Sequence, residues 1–155
     1  MLILLDIDGV MVPANSWKRP EFMKDGFASF SAKAVQSLQN ILTATDAKIV
    51  LTTSHKANYS LSEWISIFNS RGINISTIDR LPENVASISR KEEVLNWILT
   101  TGVNDSYVII DDDSSLNDLP LHLKERLILT SGAIGLTPNL AEKAIALLTE
   151  EQLHV

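Results

Sequence analysis

The stretch from Leu2 to Val12, LILLDIDGVMV, constrains this chain more than any other. Leu2, Ile3, Leu4 and Leu5 run without interruption and stop at Asp6. A short continuous apolar run closed by polar residues and glycine suits a strand buried on both faces of a sheet. Asp6 and Asp8 then place two carboxylates one residue apart at its end. Charges at the edge of a core are usually paired or bound to a cation. The plain alternative is a turn after a strand, where Asp and Gly are common in any case.

The rest of the chain alternates helical and strand patterns. Residues 10–30 break periodicity, with Pro13, Pro20, Gly26 and the exposed-looking aromatics Trp17, Phe22, Phe27 and Phe30. Long irregular excursions of this kind often carry function. Their aromatics can equally plug into the core. Lys18, Arg19 and Lys24 are candidate contacts for an anionic substrate or simply solvated cations.

Ser31 opens a helix with Val35, Leu38, Ile41 and Leu42 on one face, running to about Ala44. Ala47 to Leu51 is a second strand, ending in Thr52, Thr53, Ser54, His55 and Lys56. Ser60 with Glu63 marks a helix start, Leu61, Trp64, Ile65 and Phe68 its apolar face, and Gly72 its end. Ile73 to Ile78 reads as a short strand near an edge, and 79–88 as a loop. Ser89 with Glu92 repeats the capping signal ahead of Val94, Leu95, Ile98 and Leu99, with Gly102 as the stop. Tyr107 to Ile110 is a strand that runs into Asp111, Asp112 and Asp113. After a polar loop, Leu127 to Leu129 is the last strand. Gly132 and Gly135 give a flexible loop, and Thr137 with Pro138 starts the final helix.

Strands alternating with amphipathic helices predict an α/β fold. It is a Rossmann-like three-layer αβα sandwich with a central parallel sheet. In such sheets the loops at the carboxyl ends of the strands meet in one crevice. Asp6/Asp8, Thr52/Thr53/Ser54 and Asp111/Asp112/Asp113 all lie at those ends, although strand-end polar residues also coincide by chance. With 155 residues one domain, 1–155, is expected. The start MLILLD is too short and too soon charged for a signal peptide or membrane span. A cytoplasmic protein with no membrane partner is therefore the expectation. Cysteine is absent, which excludes disulfides and thiolate chemistry. A net charge of −6 disfavours general adhesion to nucleic acid but leaves room for a local basic groove.

Carboxylates converging without a cation cannot all stay ionised. Mg²⁺ answers this, because it takes oxygen ligands from one or two carboxylates and a substrate phosphate. His55, His122 and His154 are scattered and lack zinc-site spacing. His55 stands out among them because it follows the Thr52 cluster. With Mg²⁺ and an anionic substrate, an Asp can attack phosphorus to form an aspartyl-phosphate. A second acid then protonates the leaving oxygen and later activates water. The i, i+2 spacing points Asp6 and Asp8 the same way, and Gly9 lets the chain turn beneath them. Thr52 can donate to a phosphoryl oxygen. Arg90 or Lys91, at a helix start near the rim, is the candidate cation for the transferring group. A solvated first turn is the plain alternative. Gly9, Thr53, Ser54 and His55 are the candidate substrate contacts.

These residues together resemble the haloacid dehalogenase superfamily. DIDGV at Asp6 to Val10 matches its first motif, IVLTT with Thr52 its second, Arg90 or Lys91 its third, and VIIDDD its fourth. The resemblance implies Asp6 as nucleophile and Asp8 as acid/base. It also implies Mg²⁺ on Asp6, the Asp8 backbone carbonyl and a fourth-motif acid, Asp112 with Asp111 close by. SRKEEVLNWI, YVIIDDD and the late GLT at Gly135 to Thr137 are further similar to phosphatase-like domains of bacterial RNA-repair proteins. Those domains usually carry an S-x-W-R-like stretch after the second motif, where this chain reads TTSHK. The excursion of about twenty residues after Gly9 leaves no room for a large cap domain. Capless members tend to act on bulky substrates.

The function expected is thus a Mg²⁺-dependent phosphomonoester phosphatase acting on a bulky or macromolecular substrate. The phosphorylated partner is a nucleic-acid 3′ or 5′ end or a phosphoprotein. The alternatives are a slow or non-catalytic phosphate-binding or regulatory domain, and a receiver-like phospho-acceptor module. Receivers, however, place their acceptor Asp mid-chain, where this chain has Thr52.

Overall fold

The structure is a computed structural model that describes residues 1–14 and 20–150. Trp17, Lys18, Arg19 and His154 lie outside the described residues. Five strands form one parallel sheet: β1 (Leu2–Leu5), β2 (Lys48–Leu51), β3 (Asp79–Arg80), β4 (Tyr107–Asp111) and β5 (Leu127–Leu129), in the spatial order β3-β2-β1-β4-β5. β1 is central, and Leu4 pairs with Val50 on one side and Ile109 on the other.

Alternation of side chains along each strand separates two cores. Ile3, Leu5, Ile49, Leu51, Val108 and Ile110 face one layer of helices: α1 (Ala32–Thr45), α2 (Leu61–Ser70) and α5 (Pro138–Glu150). Leu4, Val50 and Ile109 face the other, which holds α3 (Arg90–Thr101), a 3-10 helix (Ser114–Asp118) and the single turn α4 (Leu121–Lys124). This is the three-layer αβα sandwich expected. No helix is long and apolar enough to cross a membrane among the described residues.

Local signals set most of the helix starts. The Ser31 side chain caps α1 at the Ala34 N–H, and Asp46 ends the helix in the left-handed region. Ser60 and Glu63 form the reciprocal capping box at α2. Ser89 accepts from the Glu92 N–H at 3.2 Å, so α3 has one half of the box. Of the apolar positions expected on α3, Val94 and Ile98 are buried while Leu99 is exposed.

Two readings are corrected. Ile73 to Ile78 is not a strand. The Asn74 and Ile75 N–H groups donate to the Gln39 and Asn69 side chains instead of a ladder, and Ile73 and Ile78 are apolar because they fill the core. The edge strand is Asp79–Arg80, within the stretch read as a loop. Its Arg80 guanidinium donates to the Lys56 and Tyr59 carbonyls, which fixes the loop after β2. The second correction concerns the polar segment after Asp113, which coils into the 3-10 helix and buries Leu116.

Candidate active site

The site grows out of the strand register. Leu4, Val50 and Ile109 sit side by side on the face that carries α3. Two residues further along each strand, on that same face by alternation, come Asp6, Thr52 and Asp111. The backbone continues the pairing past the strands, with Asp6 N–H donating to Ile110 and Thr52 N–H to Leu5. All three side chains are buried. α3 begins directly over them, so Arg90 reaches down into the row.

Arg90 Nη1 lies 2.6 Å from Asp111 Oδ2, 3.4 Å from Asp6 Oδ1 and 3.3 Å from Thr52 Oγ1. Thr52 Oγ1 is also 3.4 Å from Asp111 Oδ2, and Asp111 Oδ1 accepts from the Asp113 N–H at 3.1 Å. Asp111 is therefore fully engaged by protein groups. Lys91 is turned elsewhere. It makes no ion pair with these acids, and its backbone N–H donates to Ser115 Oγ. Of the pair that local sequence left open, Arg90 is the one the structure brings to these acids.

Asp112 lies on the outer side of the site, against the turn after β1. The Val10, Met11 and Val12 N–H groups all converge on the Ile7 carbonyl, which makes that turn tight. Gly9 occupies it at φ +80°, and a Cβ there would overlap the Asp112 carboxylate. Across the site a Cβ on Gly132 would come within 2.9 Å of Asp112 Oδ2. Two bare glycine backbones thus form the walls of a slot for one carboxylate. Buried Thr130 holds the turn from below by donating to the Gly9 carbonyl at 2.7 Å.

Asp6, Asp111 and Asp112 each offer an oxygen within 4.8 Å of the others. Burial, reinforced by Asp111, pushes the Asp6 carboxyl up from 3.8 to about 8, although Arg90 opposes the shift. Asp112 is raised as well, by burial first and then by Asp111. Burial works against the Arg90 charge, but Asp111 and Asp6 outweigh it and its pKa is raised. One guanidinium does not neutralise three crowded carboxylates. An all-oxygen donor set with excess negative charge fits a hard divalent cation such as Mg²⁺.

Asp8 stands apart from the buried row, with its side chain 58% exposed. Its Oδ2 lies 2.8 Å from His55 Nε2. Thr53 is buried, and its Oγ1 accepts from the His55 N–H at 3.3 Å. Ser54 is exposed at the rim. Phe27 packs edge-on against His55, with centroids 5.5 Å apart.

Sequence reasoning missed two supports. Lys56 Nζ is buried and pairs with Glu93 Oε2 at 2.9 Å, and Glu93 Oε1 lies 3.7 Å from Arg90 Nε. Glu93 at i+3 from Arg90 was a readable signal; its link to Lys56 was not. The other is Arg71, which forks onto Asp25 at 2.7 and 2.9 Å and also donates to the Phe27 and Ala28 carbonyls. This clamp folds residues 21–29 back on themselves and buries Phe27, while Phe22 stays exposed.

A parallel sheet with an Asp-x-Asp turn after its central strand, and Thr, Arg and paired acids around it, defines the haloacid dehalogenase class. The sequence profile of the HAD domain in Swiss Army Knife RNA repair proteins matches residues 2–141, and the chain belongs to that family. Among solved structures the chain is similar to a putative HAD superfamily (subfamily III A) hydrolase from Legionella pneumophila. That match has 15% identity and a TM-score of 0.48, covering 98% of this chain and 85% of the other. Comparison with curated proteins finds no match.

Proposed function

We propose that this chain is a Mg²⁺-dependent phosphomonoester phosphatase that works through an aspartyl-phosphate on Asp6. One observation carries the reading: a buried Asp6 flanked by Asp111, Asp112 and the largely covered guanidinium of Arg90. Asp112, which pairs with no guanidinium among the described residues, and Asp6 would hold the metal together with the Asp8 backbone carbonyl. Bound there, Mg²⁺ would supply positive charge to the phosphoryl oxygens and lower the repulsion among the acids.

Asp6 attacks phosphorus, and the bond to the leaving oxygen breaks as a new P–O bond forms to the Asp6 carboxylate. Asp8 supplies the proton to the departing oxygen and then takes one from the water that hydrolyses the aspartyl-phosphate. Arg90, locked on Asp111, and the Thr52 hydroxyl donate to the transferring group. Asp111 orients Arg90, and Glu93 braces it from behind.

The family's name speaks of RNA repair proteins. With a net charge of −6, long contact with a nucleic-acid backbone is disfavoured. A terminal phosphate on an RNA end is the substrate that fits both. Phosphate release from an aryl phosphate, nucleotides, 3′- and 5′-phosphorylated oligonucleotides and phosphopeptides tests the proposal. Release that needs both Mg²⁺ and Asp6, and is lost in Asp6→Asn with the fold retained, supports it. Activity that survives Asp6→Asn or chelator sinks the mechanism. A preference for phosphopeptides sinks the substrate class.

A further inference from the structure

We propose that His55 is a positioning residue for Asp8, and that the aromatic wall around Phe27 fixes it in that role. The inference rests on the phosphatase reading above and adds to it a side chain outside the buried row. His55 follows Thr53 and Ser54 at the end of β2, and its Nε2 is 2.8 Å from Asp8 Oδ2. Two further contacts set the ring. Its backbone N–H is held by Thr53 Oγ1. The Phe27 ring meets it edge to face at an interplanar angle of 87°. Phe27 in turn packs on Tyr59 and Trp64 and lies under the Arg71 guanidinium.

Asp8 needs such a partner because its side chain is 58% exposed and no other side chain among the described residues holds it. A free carboxylate at the rim samples several rotamers, and an acid that is not aimed at the leaving oxygen contributes little. With its proton on Nε2, His55 donates to Oδ2 and leaves Oδ1 as the protonated oxygen. Oδ1–H then passes its proton to the leaving oxygen as the P–O bond breaks. His55 still donates to Oδ2 of the resulting carboxylate, so Oδ1 stays aimed at the incoming water and accepts its proton. His55 thus acts through Asp8 and does not touch the phosphoryl group. This replaces the substrate-binding role the sequence suggests for it.

The test compares an alkyl phosphate, whose leaving oxygen needs a proton, with dinitrophenyl phosphate, whose leaving group departs without one. In His55→Ala, kcat/KM, which reports only the first phosphoryl transfer, falls on the alkyl phosphate by at least about tenfold more than on dinitrophenyl phosphate. His55→Gln, which retains an N–H donor, recovers part of the difference. Phe27→Leu leaves the imidazole but removes the ring edge, and shows the same bias to a smaller degree. Equal losses of kcat/KM on the two substrates overturn the proposal while the phosphatase reading stands. An unchanged leaving-group ratio in Phe27→Leu overturns the part given to the aromatic wall. No Asp6-dependent release by the unmodified protein from either substrate overturns the phosphatase reading and this inference with it.

Discussion

At the residue scale, Gly9 has the narrowest tolerance in the site. Its φ of +80° is a region L-residues rarely adopt, and its missing Cβ is the space Asp112 fills. Gly9→Ala should cost about 1–3 kcal/mol in stability and displace the Asp112 carboxylate. Denaturant unfolding would read the first effect. A Mg²⁺ titration would read the second as weakened binding, and unchanged affinity would mean that Asp112 is not a ligand. Lys56 and Glu93 offer a second test. Their side chains are 3% and 9% exposed, so removing Glu93 leaves the Lys56 charge buried without a carboxylate, whereas removing Lys56 leaves Glu93 its longer contact with Arg90. Glu93→Leu should destabilise by about 3–5 kcal/mol, and Lys56→Met with Glu93→Leu by much less. Additive losses in the double-mutant cycle would show that the two charges are not coupled.

At the scale of elements, α2 does more than cover the sheet. Arg71, at its C-terminal end, gathers residues 25–28 onto the helix and thereby seats Phe27 beneath His55. The Arg71 side-chain hydrogen bonds hold the Asp25 carboxyl down from 3.8 to about 2. A depressed carboxylate pKa stabilises the fold above its unfolded value, and that contribution fades as pH falls through the folded one. The stability difference between the wild type and Asp25→Asn should therefore be full above pH 4 and shrink towards pH 2. Unfolding midpoints measured across that range check it, and a difference independent of pH would mean that Asp25 is not held by Arg71. α3 plays the matching part on the other face. Burial of Val94 and Ile98 sets its helical phase, and that phase points Arg90 into the acids.

At the scale of the whole molecule, three strand ends and one helix start converge on a charge cluster with an excess of carboxylates. A ligand that binds only the folded state stabilises it by mass action, about 2.7 kcal/mol at a hundredfold excess over Kd. Saturating Mg²⁺ should raise Tm by several degrees in the wild type and in His55→Ala, and by much less in Asp112→Ala. Equal shifts in the two variants would remove Asp112 from the metal site.

Most of this architecture is legible in the sequence, because local rules act over a few residues. The apolar run before Asp6, the serine caps at Ser31, Ser60 and Ser89, and the strand ends at Thr52 and Asp111 follow from alternation, helical periodicity and short-range side-chain to backbone bonds. Those signals determined the αβα sheet and brought Asp6, Thr52 and the paired acids to one rim. They failed at Ile73 to Ile78, where core burial produced the same apolar alternation that a strand would.

Only the tertiary structure decided between neighbours. Arg90 and Lys91 differ by about 100° around one helix, and the packing of α3 on the sheet brings Arg90 to the acids. Asp111 and Asp112 point to opposite sides of an extended chain, so one meets Arg90 and the other the Gly9 turn. The pairs His55–Asp8, Lys56–Glu93 and Arg71–Asp25 join segments far apart in the chain. No local rule carries their distances. They exist because the sheet register and two helix phases bring those side chains to the same few ångströms.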